Sequence, residues 1–107
     1  IAGVLEYYRA TFEERFTPEM HQEMIQMAED NDTELRLQTI IYQQLSELLA
    51  YQRKWDECIQ TIQFAYDSAL SDVMWLKESP IFEPIRERPH FQELCRLVEE
   101  RVQSSRV

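Results

Sequence analysis

The side chains in this sequence with the chemistry to bind a metal, move a proton or attack carbon are two histidines, two cysteines and a dense set of carboxylates. Metal sites need ligands at close helical or turn spacing. His21 and His90 fall in different predicted helices with no His or Cys three or four positions away, and neither Cys58 nor Cys95 has a close ligand neighbour. No metal is expected. Asp30-Asn31-Asp32-Thr33-Glu34 opens as a calcium loop does, but the glycine that makes the sharp turn is missing. Ile41 stands where the bidentate glutamate belongs. A phosphate cradle cannot be built from a chain whose one glycine is Gly3, and no Ser or Cys carries a nucleophile signature. Carboxylate pairs abound because acids do, and none lies in a visibly apolar segment that would raise its pKa. The expectation is a non-catalytic chain with no cofactor.

Charge narrows the partners further. Twenty acidic side chains against eleven basic ones leave a net charge of -9, which repels nucleic acid phosphates and anionic headgroups. Nucleic acid and membrane are therefore not expected partners, and no apolar run approaches the roughly 20 residues that span a bilayer. The acidic excess sits in the first third, where Glu6, Glu13, Glu14, Glu19, Glu23, Glu29, Asp30, Asp32 and Glu34 face only Arg9 and Arg15. It reads as a solvated face or as a receiver of a basic partner. Cys58 and Cys95 occupy apolar-stripe positions, where a thiol serves as a small hydrophobe. Two reduced core cysteines favour the cytoplasm, with the periplasm as the alternative if a membrane-anchored parent carries the chain.

The elements that position these residues read as helices. With 107 residues, 44% of them hydrophobic, there is room for one domain with a real core, and a single glycine is too few for the tight turns of an all-β chain. The opening Ile1-Ala2-Gly3, without an initiator Met, leads us to expect a piece of a larger protein. Leu5, Tyr8, Phe12 and Phe16 recur at helical spacing and predict a first helix. Thr17-Pro18-Glu19 supplies an N-cap, a proline at the first helical position and an acid in the first turn. The second helix then carries the stripe Met20, Met24, Met27 and Ala28. Asn31 with Glu34 predicts a capping box for a third helix, whose inward face is Leu37, Ile41, Leu45, Leu48 and Leu49. After the polar Gln52-Arg53-Lys54, a fourth helix follows from Trp55 through Ala69, and so short a connection forces an antiparallel hairpin. Ser79-Pro80 and Pro89 mark a short helix around Ile81 to Arg86 and a final one with Phe91, Leu94, Cys95, Val98 and Val102, ahead of a frayed tail from Gln103.

The residues Tyr42, Leu45, Ser46, Leu49, Trp55, Cys58, Ile62 and Ala65 resemble one tetratricopeptide repeat, a 34-residue helix-turn-helix unit. Small side chains at Ser46, Cys58 and Ala65 let the helices approach, while Tyr42 and Trp55 fill the space between them. Leu49 replaces the usual tyrosine, Lys54 stands where a turn glycine is common, and no proline closes the repeat near Leu70. The segment from Val73 to Leu94 is similar to the closing segment of tetratricopeptide domains in bacterial regulators, among them winged-helix transcription regulators, nucleotide cyclases and serine/threonine kinases. The likeness lies in Trp75-Leu76 followed by two Pro-x-Phe units, Pro80 to Phe82 and Pro89 to Phe91, with Ile85-Arg86 as the intervening step. Arg88 replaces the aspartate that usually caps the last helix. The resemblance covers about residues 38 to 102, with 38–72 as the best repeat and 73–102 as a C-terminal cap in which Trp75, Phe82, Ile85 and Phe91 fold over the end of the stack.

What this implies is an all-α domain of five to six helices, stacked as antiparallel hairpins with a C-terminal capping segment. Its expected function is protein-protein interaction or scaffolding within a larger regulatory or signalling protein. On the repeat alignment Gln43, Glu47 and Tyr51 form the candidate partner-binding face, open to a peptide, a protein or other domains of the parent chain. The alternative is a structural role through self-association, a homodimer paired along Met20, Met24 and Met27 or along the aromatic first helix.

Overall fold

The computed structural model describes residues 17–30 and 33–104. Among these the chain is all-α, with no strand. The helices are α1 (Pro18–Glu29), α2 (Leu35–Tyr51), α3 (Trp55–Ser68), α4 (Val73–Glu78), a 3-10 turn (Pro80–Ile85) and α5 (Pro89–Ser104). The expected first helix over Leu5 to Phe16 lies outside the described residues, as does the tail from Ser105; Gln103 and Ser104, expected to fray, belong to α5.

Local sequence explains most helix ends. Thr17 caps α1 by accepting the Met20 amide at 3.2 Å, with Pro18 behind it and Glu19 in the first turn. The capping box for α2 does not form: Glu34 occupies the N-cap position and makes no side-chain cap bond, while Asn31 lies outside the described residues. At its other end α2 closes with paired bonds from Arg53 N–H to Ala50 C=O and from Lys54 N–H to Leu49 C=O, both 3.0 Å. That pattern needs a left-handed residue, and it is Arg53 (φ 59°), one position before Lys54, that takes it. Asp72 starts α4 by accepting the Trp75 amide at 3.0 Å, a helix the sequence reading did not place. The short helix expected over Ile81 to Arg86 is a 3-10 turn, because Pro84 removes an amide and obstructs an α-helical ladder.

The α2–α3 pair is an antiparallel hairpin, and its register is visible in three contacts. Cys58 Sγ donates to Ser46 C=O at 3.3 Å, the Tyr42 and Phe64 rings lie 5.5 Å apart, and Ser68 Oγ donates to Gln38 Oε1 at 3.2 Å. Ser46, Cys58 and Ala65 are fully buried, so the close approach expected of small residues is present. Tyr42 is buried with them, whereas Trp55 is half-buried at the edge of the core and does not fill the space between the helices. It opens α3 beside the solvated turn, where its position keeps one side in water.

α1 packs on α2, and α5 on α3 and α4. Met24 and Ala28 are fully buried, but Met27 is exposed, since it lies off the stripe that Met20, Met24 and Ala28 share. The segment after Leu70 supplies Leu76, Phe82, Ile85, Phe91, Leu94 and Val98 to the one core, all fully buried. Phe82 meets Trp75 edge-on at 5.1 Å and Phe91 at 5.7 Å. Two arginines satisfy carbonyls at helix C-termini. Arg86 donates to the carbonyls of Leu76, Lys77 and Ser79 at the end of α4. Arg101 donates to those of Tyr66, in the last turn of α3, and Leu70, just past its end, both at 2.9 Å, with its guanidinium 4.0 Å from the Tyr66 ring centroid. Among the described residues no helix is long and apolar enough to cross a membrane.

Candidate functional site

Gln43, Glu47 and Tyr51 stand four residues apart on α2 and therefore share one side of it. The opposite side carries Leu45, Leu49 and Tyr42, which are buried, so the three point away from the core. Gln43 and Glu47 are half-buried and Tyr51 is 59% exposed. Glu47 does not stand alone: its Oε1 accepts the Trp75 indole N–H at 3.1 Å. The closing segment thus borders the candidate face and fixes the carboxylate at its middle.

Two residues on this side escaped the sequence reading. Leu37, assigned there to the inward stripe, is 45% exposed, and Ile40 is 42% exposed. Leu37 lies at the edge of the buried arc and close to the start of the helix, where fewer neighbours cover it. The signal was available, because Leu37 and Ile40 cannot both share a stripe with Leu45 and Leu49 at 100° per residue. With them the outward side of α2 becomes a seam, Leu37, Ile40, Gln44, Glu47 and Tyr51, spaced alternately by three and four. It runs for about 21 Å along the helix.

Other sites with reactive side chains are committed to structure. Burial pushes the Cys58 thiol up to about 12, only partly opposed by Arg88, and the thiol donates to a backbone carbonyl. Cys95 is also raised by burial, against the opposing charges of Lys77 and Arg86. Both cysteines are free thiols. A thiol held above its ordinary range is a poor nucleophile at neutral pH. A groove between α4 and α5 gathers Lys77, Arg86 and Arg96 around Cys95. Each cation is already engaged: Lys77 with Glu99, Arg86 with the α4 carbonyls, and Arg96 with Glu93 and Glu100. His21 sits half-buried on α1, and burial lowers its pKa below 6.5 although Glu57 lies 3.8 Å away. His90 pairs with Gln63 at 3.0 Å. Among the described residues no three His, Cys, Asp or Glu side chains converge as metal ligands.

The α2 seam presents two aliphatic side chains and a phenol, with an oriented carboxylate and one amide, Gln44, between them. No known family, curated protein or solved structure matches the chain.

Proposed function

We propose that this chain is a non-catalytic protein-interaction module of the tetratricopeptide kind, acting as part of a larger regulatory or signalling protein, and that the outward side of α2 is its docking surface. The observation that carries the reading is the exposure of Leu37, Ile40 and Tyr51 on one side of a helix whose other side is core. An apolar stripe left in water along a packed helix is a feature of interaction sites. The antiparallel α2–α3 hairpin and the close approach of Ser46 and Cys58 support the repeat assignment. The partner is a protein or peptide, or another domain of the parent chain, and two free thiols, one buried and one half-buried, favour a cytoplasmic setting. Self-association along the methionines has less support, because Met24 lies wholly inside the protomer.

Site-specific photocrosslinking tests the surface. A photoreactive phenylalanine replacing Tyr51 or Gln43 in the producing cell should give a discrete polypeptide adduct. The same probe at Gln60, exposed on α3, should not. Equal adducts from all three positions, or none from the first two, would remove the α2 face as the docking surface.

A further inference from the structure

We infer that the occupant of the α2 seam in the isolated chain is the chain's own segment of residues 1–16. This rests on the docking reading above, in taking the outward side of α2 as a surface built to be covered, and adds what holds it when no partner is bound.

The first argument is where that segment is attached. Residues 1–16 lie outside the described residues and join the fold at Thr17. The start of α1 stands at the α2–α3 turn: His21 Nδ1 is 3.8 Å from Glu57 in the first turn of α3, and Lys54 is close enough for its charge to act on the same imidazole. At the other end Gln38 Nε2, in the first turn of α2, donates to Ala28 C=O at 2.7 Å. α1 and α2 are therefore antiparallel, and the point of attachment lies at the Tyr51 end of the seam. A helix cannot run straight from Phe16 into α1, because Pro18 opens α1 and Thr17 before it is extended (φ -99°, ψ 162°). A reversal at this joint sends the segment back along α2, from Tyr51 toward Leu37.

Length and pattern fit that path. As the helix its spacing predicts, a 16-residue segment is about 24 Å long, against about 21 Å for the seam. Its stripe Leu5, Tyr8, Phe12 and Phe16 recurs at intervals of three and four, as do Leu37, Ile40, Gln44, Glu47 and Tyr51 on α2. Two such ridges interdigitate along their length. Three aromatic side chains on one stripe need an apolar surface to leave water. Leu37, Ile40 and Tyr51 offer one that begins beside the point of attachment.

Charge and tethering decide between this segment and a second copy of the chain. Glu6, Glu13 and Glu14 against Arg9 and Arg15 leave the segment at -1, whereas a second copy brings -9 to a chain that itself carries -9. A segment joined to its own surface also acts at an effective concentration on the order of millimolar, with little translational freedom left to lose. A separate partner therefore docks only if it binds tightly enough to displace residues 1–16.

Photocrosslinking in the purified full chain tests this. A photoreactive phenylalanine replacing Ile40 stands about 16 Å along α2 from Tyr51, beyond reach of the residues next to Thr17. Irradiated at low concentration, it should give an adduct within one chain, and tryptic mapping should place that adduct in the peptide from Ile1 to Arg9. Replacing Tyr8 and Phe12 together by Asp should abolish it. Melting curves check that the fold survives, and the pair of Ala substitutions serves if the Asp pair unfolds the chain. In the producing cell the same pair should raise the partner adduct formed from a probe at Tyr51. An Ile40 adduct to another part of the chain, no adduct, or an adduct joining two chains would overturn the inference, the last naming a second copy as the occupant. An intrachain adduct unmoved by the paired substitutions, or a partner adduct present but not raised by them, would overturn it too. An intrachain adduct that the pair abolishes, with no partner adduct in either form of the chain, would refute the docking reading alone and make residues 1–16 the standing cover of the seam.

Discussion

Replacing Phe82 by Ala probes whether the closing segment is part of the core or a detachable cover. Phe82 is fully buried in the 3-10 turn, edge-on to Trp75 at 5.1 Å and 5.7 Å from Phe91. Truncation of a buried phenylalanine costs about 3–5 kcal/mol, from lost transfer free energy and the cavity left behind. The site is poorly able to collapse: Pro80 and Pro84 fix the backbone on either side, and the facing Phe91 is held in α5. We therefore expect about 4 kcal/mol, a large share of the roughly 5–15 kcal/mol that stabilises a domain. At about 4–8 °C per kcal/mol, the melting temperature should fall by about 15–30 °C. Urea unfolding followed by tryptophan fluorescence reads this directly, because Trp75 is in contact with the altered site. The transition should stay single and move as a whole, and Phe82→Leu should cost only about 1–1.5 kcal/mol. A loss under about 1 kcal/mol, or two separate transitions, would show that the closing segment is not joined to the core as its buried side chains indicate.

Arg53→Gly should stabilise the chain by about 0.5–1 kcal/mol, since a side chain at φ 59° carries steric strain that glycine relieves, less the entropy glycine gains when unfolded; thermal melting checks the sign. Arg101→Met keeps the stem but removes both bonds at the C-terminal end of α3 and the Tyr66 contact, and should cost about 1–3 kcal/mol by urea titration, with Arg101→Lys failing to restore it fully. Burial holds the folded pKa of His21 below 6.5, so between those two values the unfolded chain binds more protons; stability should fall as pH drops through about 6.5, and His21→Gln should flatten that part of the profile. Because Glu57 opposes the shift, Glu57→Gln should make the acid loss steeper. Cys58, with its thiol near 12 and fully buried, should resist a thiol reagent at pH 8 until urea unfolds the chain, while half-buried Cys95 reacts first; equal rates in the folded state would contradict the burial of Cys58.

Much of this protein is determined within reach of a few residues. Thr17-Pro18-Glu19 starts α1 because cap, ring and dipole act within one turn, and Pro89 starts α5 in the same way. The three-to-four spacing of Leu45, Leu48 and Leu49, then Cys58, Ile62 and Ala65, states that these are helices and which sides are buried. The short link between them states that they run antiparallel. The Gln43, Glu47 and Tyr51 side is likewise legible, because it lies opposite that stripe.

Other features depend on residues far apart in sequence. Leu37 has the same chemistry as Leu48, yet one is 45% exposed and the other fully buried, because burial depends on which neighbours reach that end of α2. Trp55 looks like a core aromatic by type but stands at a helix start beside solvent. Glu47 is joined to Trp75 across 28 positions, and the end of α3 is completed by Arg101 across 31 and 35. Periodicity fixes a side chain's direction around its own helix axis. Only the packing of α4 and α5 against the hairpin decides which of those directions meet protein and which meet water.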